Sequence, residues 1–188
     1  GRLTHETPAA HELKLDAVTG STTFDYGFAA DTELSGPMVL TLHAELRDAG
    51  LNADAVVFCA LDKLDAQGAI VPFRGSVGRT DAPLTRGLLA LSHRKLDAMH
   101  SRPYLPVLAH DEVQPLPPAS VAELQIALPP SSTFFQRGEG LRLTVATYDV
   151  RGAVPWVKRV PAAPSCLVLH LGPLPGGGYL LIPRISNE

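Results

Sequence analysis

Histidines are concentrated between Arg86 and Pro118, a stretch that holds three of the seven in the chain. The stretch begins as an apolar segment, turns at Ser92-His93-Arg94 and continues as a long run punctuated by prolines. His93 and Arg94 could bind a carboxylate, or could fasten the long loop to its scaffold through backbone carbonyls. His110-Asp111 could act as an acid–base pair, or could form a turn capped by the aspartate. In both cases we favour the structural interpretation over the catalytic one.

A nucleophile of the serine-hydrolase type has no suitable setting in this sequence. The α/β-hydrolase elbow reads G-x-S-x-G and lies between a strand and a helix. The nearest match, Arg74-Gly75-Ser76-Val77-Gly78, lacks the first glycine and is followed by no helical pattern. We therefore interpret it as a glycine-rich loop and expect no catalytic residue in the chain.

The sequence offers no convincing set of metal or cofactor ligands either. No two histidines have the spacing of a zinc motif. Cys59 and Cys166 both lie in apolar runs, where we expect free thiols buried as small hydrophobic groups. Asn52-x-Asp54 is similar to the start of a calcium loop, but the later ligands do not follow. We expect no metal site and no cofactor.

Composition excludes several classes of protein. A hydrophobic content of 45% with 19% charged residues is typical of a globular domain. The net charge of −3 and the scattered basic residues argue against a nucleic-acid partner. No apolar run reaches the ~20 residues that span a bilayer, and residues 1–10 lack a signal-peptide pattern, so we expect no membrane partner and a cytoplasmic location. Because the chain starts with Gly1 rather than methionine, we expect a fragment or a processed product.

Alternation of apolar and polar residues dominates the chain and predicts β-strands. Residues 38–46 alternate most clearly, with His43 on the polar face, where we expect it to be solvated. Further strands are predicted over 24–28, 55–61, 69–73, 87–92, 122–128, 141–148, 166–171 and 179–185. Thirty-three glycines and prolines punctuate these segments, and only residues 117–124 could hold a helical turn, with Ser120 as its cap. The pattern predicts an all-β, jelly-roll β-sandwich over residues 13–188, preceded by a linker or extended segment over 1–12.

The order of several segments resembles a known family. Thr23–Asp25 with Asp31–Pro37 is similar to the opening strand and turn of the C-terminal domain of X-prolyl dipeptidyl-peptidases, which also occurs in cocaine-esterase-like and α-amino-acid ester hydrolases. Phe58–Gly68 resembles its second hairpin, Arg86–Pro118 its strand and long loop, and Leu128–Leu143 its strand, Pro-Ser turn and Gly-closed hairpin. Gly176–Pro183 resembles its last strand. Val56 departs from the pattern, because the family often has an Asp-x-Asp before the second strand.

The resemblance implies a galactose-binding-domain-like jelly roll attached to an α/β-hydrolase domain that carries a Ser-His-Asp triad, none of which lies in this sequence. We expect a non-catalytic domain that packs on that hydrolase domain, shapes its substrate entrance and supports contacts of a homo-oligomer. The alternative is a free-standing carbohydrate-binding module, in which Trp156 could stack on a sugar. The candidate residues for a domain interface or pocket rim are His93, Arg94, Tyr104, His110, Asp111 and Trp156.

Overall fold

The computed structural model of the chain describes residues 9–48, 54–75, 78–150, 166–173 and 177–185. These residues form eleven strands and a 3-10 turn at Leu91–His93. The strands are β1 (His11–Asp16), β2 (Ser21–Gly27), β3 (Thr32–Arg47), β4 (Val56–Leu64), β5 (Ile70–Val71), β6 (Thr85–Ala90), β7 (Ala122–Phe135), β8 (Gly140–Ala146), β9 (Cys166–Leu171), β10 (Tyr179–Leu181) and β11 (Arg184–Ile185). No helix in the described part of the chain is long and apolar enough to cross a membrane.

The first sheet is built around the long strand β3. β7 pairs along one edge of β3, whereas β9, β10 and β11 pair in succession with separate parts of it, and β1 pairs with β9. The β3–β7 register shifts between Gly36 and Met38, opposite Pro129 and Pro130. Because β7 lies at the edge of the sheet, these prolines remove no hydrogen bond to a further strand. The predicted Pro-Ser turn is therefore wrong, since the strand continues through it to Phe135.

The second sheet has the strand order β2-β8-β4, with β5 and β6 both paired to β4. The predicted hairpin after β4 is confirmed: the Gly68 amide donates to the Asp65 carbonyl, and Gly68 has a φ of +83°. Asp65 Oδ1 also accepts from the amides of Gln67 and Ala69. Such an aspartate-capped turn reverses the chain within a few residues.

The hydrophobic core lies between the two sheets. Leu40, Leu42 and Leu46 of β3 face Val57, Leu61 and Val145 of the other sheet within one buried cluster. The all-β β-sandwich predicted from alternation is thus confirmed.

The outer face of β3 is more buried than the alternation predicts. Thr41 is only 1% exposed and Glu45 only 6%. His43, expected to be solvated, is half-buried, with its Nε2 3.6 Å from a carboxylate oxygen of Glu123. The reason is the central position of β3, whose flanking strands supply side chains on both sides. His170 of β9, for example, lies 3.2 Å from Glu45 Oε2.

The helical turn considered for residues 117–124 does not form. Ala119 adopts a left-handed φ of +58° and the Ser120 amide donates to the Pro117 carbonyl, which makes a tight turn instead. Strand β7 then begins at Ala122, so Glu123 lies in the sheet. Glu123 therefore pairs across the sheet with His43 rather than completing a capping box.

An ion pair on the second sheet gives a pH-dependent contribution to stability. Arg142 donates two hydrogen bonds of 2.7 Å to Asp25, and these lower the pKa of Asp25 below its ordinary value of 3.8. A carboxylate with a lowered folded pKa stabilises the fold above its unfolded pKa and loses that contribution as the pH falls through the folded one. We expect Arg142→Gln to lower the free energy of unfolding by about 1 kcal/mol at pH 7, a value typical of a partly exposed pair, and by progressively less as the pH falls below 3.8 and Asp25 becomes protonated.

Urea unfolding of both proteins at several pH values measures this difference. Arg86→Gln, at an exposed arginine of β6, is the matched control. Its free energy of unfolding should differ little from that of the parent, and by the same small amount at every pH. A constant deficit of Arg142→Gln across the pH range would contradict the role of Asp25.

Candidate functional site

The long segment between β6 and β7, which we call the crossover loop (residues 94–121), connects the edge strands of the two sheets. The 3-10 turn Leu91–His93 precedes it, close to the turn predicted at Ser92-His93-Arg94. The Leu91 amide donates to the Ala55 carbonyl, which ties the end of β6 to the residues before β4. The base of the crossover loop is therefore fixed to the second sheet.

Asp54, Ser92 and His93 form a hydrogen-bonded group at this base. The Ser92 hydroxyl donates to Asp54 Oδ2 at 2.5 Å, and the Ser92 amide donates to Asp54 Oδ1 at 3.0 Å. The same Oδ1 accepts from the Ala55 amide at 2.9 Å. His93 Nδ1 lies 2.9 Å from the Ser92 hydroxyl oxygen. Asp54 thus holds three donors from two segments that are distant in sequence.

These three residue types are those of a hydrolase triad, but their order is wrong for catalysis. In a triad the histidine stands between the serine and the carboxylate and accepts the serine proton. Here Ser92 stands in the middle, and its hydroxyl donates a hydrogen bond directly to Asp54. Ser92 is also only 6% exposed, whereas His93 is exposed. The arrangement orders a turn and leaves no accessible nucleophile.

Arg94 fastens the crossover loop as the structural interpretation predicts. One guanidinium nitrogen, Nη1, donates to the Leu91 carbonyl at 2.8 Å and to the Gln114 carbonyl at 2.6 Å. The Gln114 amide in turn donates to the Ser92 carbonyl at 2.7 Å. The outgoing and returning halves of the loop are therefore joined at the base. We call this set, with Asp54, Ser92 and Arg94 at its centre, the loop anchor.

Beyond the anchor the loop makes its own hydrogen bonds. The Asp97 amide donates to the Val107 carbonyl, and Arg102 and Leu105 exchange two backbone hydrogen bonds of 2.9 Å. Ser101 Oγ both donates to and accepts from the Val107 backbone. His100 Nδ1 lies 2.6 Å from Asp97 Oδ2, a hydrogen bond that lowers the pKa of Asp97. Residues 97–107, which we call the loop tip, therefore have a fixed shape.

The remaining predicted interface residues lie apart from the anchor. His110 is exposed with a left-handed φ of +55°, and Asp111 forms an ion pair with Lys95 at 2.9 Å. The carboxylate therefore pairs with the lysine rather than with His110, and the hydrogen bond from Lys95 lowers the pKa of Asp111. Tyr104 is exposed on the loop tip. Trp156 lies outside the described residues.

One group of potential metal ligands occurs in the described part of the chain. Ligand atoms of Glu12, Glu45 and His170 lie within 4.8 Å of one another. Arg47, however, donates two hydrogen bonds to each carboxylate, with distances of 2.6 to 2.9 Å. Because the guanidinium already hydrogen-bonds all four carboxylate oxygens of Glu12 and Glu45, the group is an ion-pair network across β1, β3 and β9.

The cysteines add no reactive group to this site. Both thiols are free, as expected; Cys59 is buried and Cys166 is half-buried. Burial raises the pKa of Cys59 to about 12, so its thiol stays protonated and unreactive. Of the glycine-rich loop, Ser76 and Val77 lie outside the described residues, and the Gly75 amide donates to the Arg79 carbonyl.

The fold and the inert anchor agree with what comparison with known families shows. The family described as the X-Pro dipeptidyl-peptidase C-terminal non-catalytic domain matches residues 4–158. The chain belongs to this family. The resemblance expected from the ordered segments is thereby confirmed, and the domain carries the non-catalytic assignment of its family. Comparison with curated protein sequences gives no match.

The solved structures that match the chain are larger proteins. A CocE/NonD family hydrolase from Staphylococcus aureus matches 98% of this chain with 26% identity and a TM-score of 0.85, and the chain spans 34% of its length. An aminopeptidase from a marine sediment Thaumarchaeota archaeon matches 99% of the chain and an α-amino acid ester hydrolase 97%. They share the fold at 15% and 12% identity, with TM-scores of 0.61 and 0.55, and the chain spans 35% and 33% of their lengths. The carbohydrate-binding alternative finds no support in these comparisons.

Asp54 is the functional residue of the anchor that the sequence pattern did not reveal. Its spacing suggested only an incomplete calcium loop, and its partner Ser92 lies 38 positions away. The tip left a clearer signal, since Asp97 and His100 have the spacing of an aspartate-capped turn whose side chains can meet. No comparable local pattern links Asp54 to Ser92.

Proposed function

We propose that this domain is the accessory domain of a CocE/NonD-type serine hydrolase, packs against its α/β-hydrolase catalytic domain and helps to shape the entrance to the substrate site. The observation that carries the proposal is the match to the Staphylococcus aureus hydrolase, which extends over nearly the whole chain at 26% identity. The domain accounts for about a third of that protein, so a larger part of such a polypeptide lies outside it.

The geometry of the loop anchor favours a structural role over a catalytic one. Ser92, the serine of the described residues that lies beside both a histidine and a carboxylate, is buried and hydrogen-bonded directly to the carboxylate. Its contacts fix the base of an ordered loop to the second sheet. A domain with an ordered loop and an inert base is suited to contact a neighbouring domain.

The experiment compares three proteins on nitrophenyl esters and X-Pro anilides: the full-length polypeptide that carries this domain, the same polypeptide without it, and the isolated 188-residue chain. We expect hydrolysis by the full-length protein that a serine-directed inhibitor abolishes, and no turnover by the isolated chain. Removal of the domain should lower kcat/KM by about tenfold or more, because substrate positioning depends on distant contacts.

Inhibitor-sensitive turnover by the isolated chain would overturn the non-catalytic role. An unchanged kcat/KM and an unchanged thermal midpoint after removal of the domain would overturn its role in the hydrolase. Ser92→Ala in the full-length protein is a useful control. If Ser92 is structural, its removal should lower the thermal midpoint of the protein, while the serine-directed inhibitor should still react with the enzyme.

A further inference from the structure

We infer that the loop tip, through Met99, Tyr104 and Leu105, is the surface by which this domain docks on the catalytic part of the same polypeptide. The inference rests on the proposed function and names the contact surface, which the family description does not name.

The three side chains are unusually accessible for their type. Met99 is 82% exposed, Tyr104 56% and Leu105 47%. All three fall within seven consecutive positions of the loop tip. Methionine and tyrosine are enriched at the centres of protein interfaces, where they are buried in pockets of the partner. A group of such exposed residues on an ordered loop is therefore typical of a docking surface.

The shape of the tip exists before any partner binds. The backbone pairs between Arg102 and Leu105 and between Asp97 and Val107 close it, and Asp97 Oδ1 accepts from the Met99 and His100 amides. A surface that is already ordered loses little conformational entropy on binding. Even a small apolar contact can then stabilise the complex.

The sandwich itself does not need the tip. From the crossover loop only Leu116 and, partly, Leu108 pack against the hydrophobic core. Loops longer than about 12–15 residues are uncommon in compact domains and, when ordered, usually carry a function. The crossover loop is far longer than this, and its ordered tip points its apolar side chains to solvent.

The catalytic part of the same polypeptide fits this surface better than a second copy does. The three side chains expose on the order of 300 Å², whereas a stable interface between separate proteins buries about 800 Å² on each partner. A covalently attached domain is held at a high effective concentration, so a small contact suffices. The relatives consist of about two-thirds additional chain, which supplies such a partner.

Oxidation of methionine by dilute hydrogen peroxide tests the inference, because the chain has only two methionines and they differ sharply in exposure. Met99 is 82% exposed and Met38 is 1% exposed, so Met38 is the internal reference. In the isolated chain we expect rapid oxidation of Met99 and slow oxidation of Met38. In the full-length polypeptide, oxidation of Met99 should slow by about tenfold or more. Peptide mass spectrometry after brief exposure measures both rates.

Matched variants localise the contact. In the full-length protein, Tyr104→Asp should restore rapid oxidation of Met99, whereas Ile70→Asp, at a residue of β5 that is 40% exposed, should leave Met99 protected. An equal loss of protection in both variants would overturn the assignment to the tip. Protection of Met99 that rises with the concentration of the isolated chain would identify a second copy as the occupant and overturn the assignment to the catalytic part.

Failure of this inference differs from failure of the proposed function. Rapid oxidation of Met99 in a full-length hydrolase that loses activity when the domain is removed would refute the docking surface alone. An active enzyme that does not change when the domain is removed would refute the proposed function, whatever the oxidation rate of Met99.

Discussion

Asp54→Ala will release the crossover loop from the sandwich and lower the free energy of unfolding by about 3 kcal/mol. The carboxylate accepts hydrogen bonds from the Ser92 hydroxyl, the Ser92 amide and the Ala55 amide. Removing a charged acceptor leaves partly buried donors without a partner, and each such loss costs about 1–3 kcal/mol before relaxation of the chain. Urea unfolding of the isolated domain measures the change. Asp54→Asn, which keeps the size and one acceptor oxygen, should cost about half as much.

Asp81→Ala is the matched control for this substitution. Asp81 pairs at the surface with Arg79, and its side chain is 62% exposed, so its removal should change the stability by less than about 0.5 kcal/mol. Hydrogen exchange gives a second readout. The Gln114 amide, which donates to Ser92, should exchange faster in Asp54→Ala, while the Asp97 and Val107 amides of the tip should not. Equal stability of the Asp54 and Asp81 variants would show that the anchor does not hold the loop.

Gly87→Val should also lower the free energy of unfolding by about 3 kcal/mol, near the upper end of the range for overpacked positions. A Cβ atom at Gly87 would lie 2.6 Å from the Ala127 carbonyl oxygen and 2.9 Å from Ile126 Cγ2. The nearest obstacle is backbone of β7, which cannot rotate away as a side chain can. Gly87 thus lets the edge strand β6 pack directly against β7, and valine should force the two edges apart.

Gly27→Val separates this effect from the general cost of changing a strand glycine. A Cβ at Gly27 meets nothing within 4 Å, and valine is favoured in strands, so this variant should be neutral or slightly stabilising. Thermal and urea midpoints of both variants are measured under one condition. If Gly27→Val and Gly87→Val behave alike, close approach of β6 and β7 is not the reason for glycine at position 87.

Alternation predicted most of the strands because the two faces of a sheet differ in exposure. It worked for β4, β8 and β9, where inward residues such as Leu61, Val145 and Leu169 are buried in the core. It underestimated β7, where Pro129 and Pro130 suggested a turn but lie opposite the register shift of β3 at a sheet edge. Local sequence does not reveal whether a proline will have a strand on both sides.

Only part of the loop anchor could be predicted from the sequence, for a related reason. Arg94 next to a strand end and before a long loop suggests a fastener, and its two carbonyl contacts confirm this. Asp54 gives no such signal, because its role depends on the pairing of β4 with β6, which brings Ser92 beside it. A contact between residues 38 positions apart follows from sheet pairing rather than from spacing.

The hydrogen bonds of the anchor and those of the tip involve separate residues: Asp54, Ala55, Ser92, Arg94 and Gln114 in one, and Asp97, His100, Ser101, Arg102, Leu105 and Val107 in the other. Met99 and Tyr104 can therefore be exchanged without disturbing either the sandwich or the attachment of the loop to it. Substitutions at these two positions would therefore alter the docking surface inferred above and leave its scaffold as it is.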